Sequence, residues 1–330
     1  METRQLGRSD VKVTPVTLGT WAIGGWMWGG TDERDAVDAI RAALDAGVTS
    51  IDTAAIYGFG LSEELVGRAV ADRRDEVQIL TKYGLRWDTD EGTDRWETTD
   101  HRGQKRVVYK NARPDSVLYE CEQSLRRLGT DVIDLYQCHW RDTGTPVEDT
   151  MAAVATLLEQ GKIRAAGVSN FSVEEIEAAR QVVPIAADQP PYSMVVRDIE
   201  NDVLPYCRQN EVGVIVYSPL QRGLLTGKIT EDYEFATGDH RANSKMFQPE
   251  NVRRVNAFLD AIRPIADAHD ATLAQLVIHW TIRRPGVTAA LVGARNVKQA
   301  TENARAAALD VSDDELRQID ERLGALELGT

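Results

Sequence analysis

Asp52, Tyr57, Lys82 and His139 are a carboxylate, a phenol, an ammonium and an imidazole, and each sits at or just beyond the end of an apolar, strand-like run. The runs read TSIDTAAIYG, VQILTKYG and VIDLYQCHW. Gathered in one place, the four groups would form a proton-donating unit. A free tyrosine, with a pKa near ~10, is a poor acid at neutral pH, and a neighbouring ammonium stabilises its phenolate and lowers that value. Lys82 would supply the charge, and Asp52 would keep Lys82 protonated and aimed. On residue type alone Asp52 and Lys82 also fit a buried ion pair that fixes packing, and His139 fits a core imidazole bonded to backbone.

Something must bring these groups together, and the pattern of elements supplies it. Strand-like runs occur at 16–18, 49–52, 77–81, 133–137, 163–168, 185–188, 213–217 and 288–292, with helical stretches between most of them. Val117, Cys121, Leu125 and Leu128 recur at helical spacing and give one apolar face. Ser172 with Glu175, and Ser312 with Glu315, read as capping boxes that open helices. About eight strand–helix alternations predict an α/β fold, a (β/α)8 TIM barrel of parallel strands ringed by helices. In such barrels the carboxyl ends of the strands face the catalytic mouth, where all four residues stand. RQLGRSDVKV predicts an N-terminal β-hairpin at the barrel bottom. Two long insertions, 83–113 and 221–248, follow strand ends at the predicted mouth and read as lids over substrate and cofactor.

Composition bounds the rest. The chain has 330 residues, 42% hydrophobic and 27% charged, and reads as one domain over 1–330. A net charge of −14 argues against a nucleic-acid surface. Cys121, Cys138 and Cys207 show neither CxxC pairing nor metal-ligand spacing, and the five histidines include no HxH pair, so no metal is expected. No apolar run reaches the roughly 18 residues of a membrane span, and the amino terminus has no signal-like apolar region, so the protein is expected to be cytoplasmic. The sequence leaves the oligomeric state open.

The run D-T-A-x-x-Y-G-x-G-x-S-E-x-x-x-G from Asp52 to Gly67, with the strand ends at Lys82 and His139, resembles the aldo-keto reductase superfamily. GVSNF from Gly167, YSPL from Tyr217, and GAR from Gly293 with Gln299, Glu302 and Asn303 follow in the family's order. LYQxHW and RGLLTGK make it most similar to the bacterial branch related to potassium-channel β-subunits. The resemblance implies reduction of a small-molecule aldehyde or ketone to an alcohol by hydride transfer, with Tyr57 as general acid and His139 orienting the carbonyl. The alternative from the same relatives is a redox-sensing partner subunit that binds NADPH with little turnover.

The resemblance also implies a cofactor site. Gly19, Thr20, Trp21 and Asp52 would approach the nicotinamide. Ser169, Asn170 and Gln189 would hold its carboxamide, and Tyr217 would stack on its ring. Ser218, Pro219, Leu220, Gln221, Arg222 and Lys228 would run along the pyrophosphate, with Arg241 clamping from the second insertion. Gly293, Arg295 and Gln299 would lie at the adenosine phosphate, and Glu302 and Asn303 at the adenine. The amino end of a helix predicted over 296–308 suits an anion there. Arg295 favours NADPH, because a guanidinium can grip a 2′-phosphate. Where many members carry a lysine and a later arginine, this chain has Gly293 and Gln299, which leaves NADH admissible. No GxGxxG follows a strand and opens a helix, and the residues before GFGLSE at 58–63 are catalytic in the resemblance, so a Rossmann site is rejected. Trp21, Trp26, Trp28, Trp87 and Trp140 would line an apolar substrate pocket.

Overall fold

Two short antiparallel strands, β1 (Arg4–Gln5) and β2 (Lys12–Val13), open the chain in this computed structural model, which describes residues 1–100, 102–236 and 238–329. There follow β3 (Val16–Gly19), β4 (Ser50–Asp52), β5 (Gln78–Tyr83), β6 (Leu85–Arg86), β7 (Thr93–Thr99), β8 (Lys105–Lys110), β9 (Ile133–Cys138), β10 (Ile163–Ser169), β11 (Ile185–Gln189), β12 (Gly213–Tyr217) and β13 (Ala289–Gly293). β3, β4, β5, β9, β10, β11, β12 and β13 pair in that order, all parallel, and β13 returns to β3 to close a barrel. Each predicted strand is realised, displaced by at most about two residues where the run meets a turn.

Helices α1 (Glu33–Asp45), α2 (Leu61–Val70), α3 (Pro114–Leu128), α4 (Val147–Glu159), α5 (Val173–Arg180), α6 (Val203–Gln209), α7 (Pro249–Ala268), α8 (Leu273–Ile282), α9 (Val297–Arg305) and α10 (Asp313–Gly324) surround the barrel or extend its wall. Local chemistry sets their ends. α3 begins with Pro114, whose missing N–H costs nothing there, and ends at Gly129, which takes a left-handed φ of 64°. Its buried face is the predicted one, with Val117, Cys121, Leu125 and Leu128 turned inward. Both predicted capping boxes form, and Thr272 with Gln275 builds a third at the start of α8. The helix predicted over 296–308 is α9, capped by Asn296, followed by a 3-10 turn over Ala306–Ala308. No described helix is long and apolar enough to cross a membrane.

The barrel interior has two layers, because side chains two residues apart on a strand face the same way. The lower layer is apolar: Leu80, Leu135, Ala165, Ala187, Ile215 and Ala289 meet Leu6, Val11 and Val13 of the hairpin, which plugs the bottom. Fully burying one such leucine, isoleucine or valine contributes ~1.5–3 kcal/mol. Two residues further up the same strands stand Lys82, Gln137 and Gln189, all buried. The polar layer thus rests on an apolar floor.

Of the two insertions, the first is a built element. β6, β8 and β7 form a three-stranded antiparallel sheet over one side of the mouth. Leu85 and Val108 join Trp26, Ala54 and Ile56 in a separate small core, and Trp26 Nε1 donates to Thr98 Oγ1 at 3.0 Å. The second insertion runs through short 3-10 turns, Gln221–Thr226, His240–Asn243 and Lys245–Phe247, across the other side.

The loops that follow β3 and β4 meet backbone to backbone at Gly24 and Gly58. A Cβ on Gly58 would lie 2.3 Å from the Gly24 carbonyl oxygen, and Gly58 holds φ at +67°. Gly58→Ala therefore combines a clash with a strained backbone, and destabilisation of about 2 kcal/mol or more is expected. Chemical denaturation checks this, and a wild-type midpoint would contradict the close approach.

Candidate active site

Asp52 ends β4 and Lys82 lies one residue from the end of β5, both facing into the barrel, with relative exposures of 2% and 1%. Lys82 Nζ donates to Asp52 Oδ1 at 2.6 Å, to the Thr53 carbonyl at 2.9 Å and to Tyr57 Oη at 3.4 Å, which accounts for all three of its protons. The second carboxylate oxygen, Oδ2, accepts from Gln189 Nε2 at 2.8 Å and from Gln137 Nε2 at 3.4 Å. A buried ion pair persists only when its remaining hydrogen-bonding capacity is filled, and here it is. Tyr57 stands in the turn between β4 and α2. His139 follows β9 directly, and its ring meets that of Tyr57 edge to face with centroids 5.7 Å apart. The four residues expected to meet do meet.

Ser62 and Glu63, in α2, hold the Tyr57 turn from behind. Ser62 Oγ lies 2.7 Å from Thr20 Oγ1 and 2.9 Å from Thr53 Oγ1. Glu63 accepts from Thr81 Oγ1 and Arg127 Nε, each at 2.6 Å. The S-E of the sequence run is therefore a brace for the phenol, out of contact with the cavity.

Burial governs the charges. It raises Tyr57 well above the usual tyrosine pKa, and Asp52 raises it further. It also lowers Lys82, against the pull of Asp52. The expectation that Lys82 makes Tyr57 more acidic is thus corrected for the protein alone: desolvation of the phenolate outweighs an ammonium already neutralised by Asp52. Burial, with the charge of Lys82, lowers His139 well below the usual imidazole value, so its ring is neutral.

Tyr57 and His139 open onto a cavity of about 840 Å³ at the carboxyl ends of the strands. Gly19, Thr20, Trp21, Asp52, Ser169, Asn170, Gln189 and Tyr217 line its inner end. Asn170 Nδ2 donates to the His139 carbonyl at 3.1 Å and to Ser169 Oγ at 3.0 Å, while Tyr217 Oη donates to Asn170 Oδ1 at 2.9 Å. Asn170 and Ser218 adopt left-handed φ of 60° and 58°, a conformation that costs non-glycine residues energy and recurs at functional sites. Ser218, Pro219, Leu220, Arg222, Lys228 and Arg241 carry the wall outward to Gly293, Arg295, Gln299, Glu302 and Asn303.

Several placements differ from the sequence reading. Gln221 does not line the cavity; its φ is 46° and its side chain accepts from Ser193 Oγ at 3.2 Å. Trp87 packs on Phe59 and beneath Arg127, away from the cavity, whereas Trp21, Trp26, Trp28 and Trp140 do line it. Trp96 and Lys110 of the β7–β8 sheet complete that wall and went unforeseen, because they lie in a polar stretch whose pairing only the fold reveals. His240, pinned between Trp21 and Trp28 with Nδ1 2.9 Å from the Met27 carbonyl, was also missed. Arg241 is held by Asp239 and donates to the Arg222 carbonyl at 2.9 Å, joining two distant parts of the second insertion. Arg295 donates to the Gly30 carbonyl at 2.7 Å and the Trp28 carbonyl at 3.3 Å.

The cavity suits a long, partly anionic ligand. Trp21 Nε1, Trp28 Nε1 and Arg222 Nε are buried donors with no acceptor among the described residues. Burial lowers the Arg222 pKa, and no carboxylate among the described residues pairs with it. Unpaired buried donors are costly unless a ligand supplies acceptors, as phosphate oxygens would.

Comparison with known proteins agrees with this geometry. The aldo/keto reductase family model matches residues 15–323. Aldo-keto reductase YhdN of Bacillus subtilis is 40% identical over 302 residues, covering 91% of this chain and 86% of its own. The NADH-specific methylglyoxal reductase of Escherichia coli is 37% identical over 328 residues, 98% of each chain. Among solved structures, the glycerol dehydrogenase AKR11B4 of Gluconobacter oxydans superposes with a TM-score of 0.88 at 38% identity, over 99% of this chain and 96% of its own. The barrel, the site at its mouth and the matched family model together make this chain a member of the aldo/keto reductase family and an NAD(P)H-dependent oxidoreductase.

Proposed function

We propose that the protein, as one barrel domain over 1–330, reduces an aldehyde or ketone to an alcohol with NADPH as the preferred reductant and NADH as a second. The observation that carries this reading is the protonated Tyr57 hydroxyl, 3.4 Å from a buried ammonium and facing the cavity beside His139. The hydride for the carbonyl carbon would be supplied by a reduced dinucleotide bound along the cavity. Tyr57 gives its proton to the carbonyl oxygen as negative charge develops there. Neutral His139 donates a hydrogen bond to the same oxygen and fixes its direction. Asp52 and the Thr53 carbonyl hold Lys82 so that its third proton points at Tyr57 Oη, which offsets charge on the phenolate once the proton has left.

Ser169, Asn170 and Gln189 would hold the carboxamide, with Tyr217 against the ring. Arg222, Lys228 and Arg241 would face the phosphates. Arg295 would read a 2′-phosphate, exchanging two backbone carbonyls for a doubly charged acceptor. Trp21, Trp96 and Trp140 would shield the reacting carbonyl from water and accept an apolar substituent.

Tyr57→Phe is expected to keep dinucleotide binding and to lose at least about a hundredfold in kcat for carbonyl reduction. Absorbance of the reduced nicotinamide follows the rate, and unchanged turnover refutes the assignment. Binding without turnover on any of a panel of aldehydes, ketones and sugars would instead support the binding-subunit reading. Arg295→Ala should weaken NADPH about tenfold or more while leaving NADH within about twofold, as read by titration calorimetry. Equal losses would remove Arg295 from recognition of the phosphate. Because burial holds the His139 pKa well below about 6.5, its ring should stay neutral as pH falls from 8 to 6. The ring-proton NMR shifts of His139 should then be flat over that range, and an inflection near the ordinary imidazole value would contradict a neutral donor.

A further inference from the structure

Around Tyr57 and His139 the cavity wall is apolar save for one cation. Trp26, Ile56, Leu85, Trp96 and Trp140 line this end, and Lys110, the last residue of β8, enters among them. Its Nζ lies 5.8 Å from the centroid of the Trp140 ring, and Trp140 follows His139 directly. Lys110 also pairs in register with Leu85, just beyond the end of β5. The other cations that line the cavity, Arg222, Lys228, Arg241 and Arg295, come after β12 and β13, along the proposed dinucleotide. Both acids of the wall are taken elsewhere, Asp52 by Lys82 and Glu302 by Lys298.

The backbone that carries Lys110 is fixed from several sides. Asp142, buried in the loop after β9, accepts from Thr93 Oγ1 at 2.6 Å and from the Ala112 amide at 3.0 Å. The Asn111 amide donates to the Gly84 carbonyl at 3.1 Å. Gly92 packs so closely on the end of β8 that a Cβ there would collide with the Lys110 carbonyl oxygen. The ammonium is held less firmly than its backbone. Its partner is Asp94 at 3.0 Å, whose side chain is 53% exposed and stands outside the cavity wall. An ion pair so open to water contributes little, so an anion inside the cavity can compete for the same ammonium. One lysine balances one negative charge, which suits a carboxylate better than a phosphate dianion.

We infer that Lys110 is a specificity-determining residue, and that the site prefers an aldehyde or ketone carrying a carboxylate on an apolar body. The charge lies at Lys110, the body lies between Trp96 and Trp140, and the carbonyl lies at Tyr57 and His139. The inference rests on the carbonyl-reduction reading of this site and adds the class of compound reduced.

The test is steady-state reduction by the full chain, followed by NADPH fluorescence, of 4-carboxybenzaldehyde and of 4-nitrobenzaldehyde, a neutral molecule of nearly the same shape. The 3-substituted pair is measured alongside, to allow for the span between Lys110 and Tyr57. The quantity read is the ratio of kcat/KM, carboxylate over nitro, because unequal reactivity of the two aldehydes then cancels between proteins. Lys110→Met should lower the ratio about tenfold in at least one pair, with the loss in KM for the carboxylate aldehyde. Lys110→Arg, which keeps the charge, should hold it within about threefold of wild type. A ratio within about twofold of wild type in Lys110→Met for both pairs would overturn the proposal. So would an equal fall in Lys110→Arg, which would mark a purely structural role, or reduction of the nitro aldehydes alone by wild type. If wild type binds NADPH and reduces none of the four, the carbonyl-reduction reading fails and the proposal falls with it, a pattern distinct from an unchanged ratio. Lys110→Gln carries the same arm if the methionine variant does not fold.

Discussion

An ammonium and a carboxylate are sealed inside the barrel, and the site is arranged around the cost of keeping them there. Lys82 and Asp52 lie 2.6 Å apart with almost no exposure. Removing either partner of such a pair leaves a buried charge alone, typically at about 3–5 kcal/mol. The pair is tolerable because each remaining valence is used: Thr53 and Tyr57 take the other two ammonium protons, and Gln189 and Gln137 approach the second carboxylate oxygen. These partners come from β4, the turn after it, β9 and β11. One ion pair thus fixes residues from much of the barrel relative to one another.

The layers around the pair explain why it can be so dry. Below it, the apolar side chains of the strands close on the hairpin and exclude water from the barrel bottom. Above it, Tyr57 and His139 stand over Lys82, so that only Asp52 of the pair reaches the cavity wall, and their rings meet edge to face. The β6–β8 sheet and the second insertion then bound the mouth from two sides. His240 contacts the Met27 carbonyl in the loop after β3, and Arg241 bonds the Arg222 carbonyl within its own insertion, so the outer wall is tied to the loop after β3 and closed on itself.

Dryness also decides the protonation states. Within the protein alone, desolvation dominates over the Lys82 charge at Tyr57, and it keeps His139 neutral. Both groups are therefore hydrogen-bond donors at neutral pH, which suits a site proposed to stabilise charge appearing on a carbonyl oxygen. On the proposed reading, the ammonium would offset phenolate charge only as the proton departs.

The order of strands, the hairpin, the helix caps and the four chemistry-bearing positions were all legible in the sequence, because each depends on neighbours within a few residues. Apolar runs ending in Asp52, Lys82 and His139 mark strand ends by periodicity alone, and Ser172 with Glu175 marks a helix start by its own hydrogen bonds. What the sequence could not yield depends on registers and approaches between distant segments. Gln137 reads as one polar residue in an apolar run until its alignment with Lys82 places it beside Asp52. Trp96 and Trp87 are indistinguishable by type and setting, yet one faces the cavity and the other packs against Phe59. The same holds for charge: proximity of Lys82 to Tyr57 follows from the motif, but which effect wins is set by how much water the closed barrel removes. Local sequence fixes which groups stand at the mouth, whereas tertiary packing fixes their mutual distances and their solvation, and those two quantities determine the chemistry.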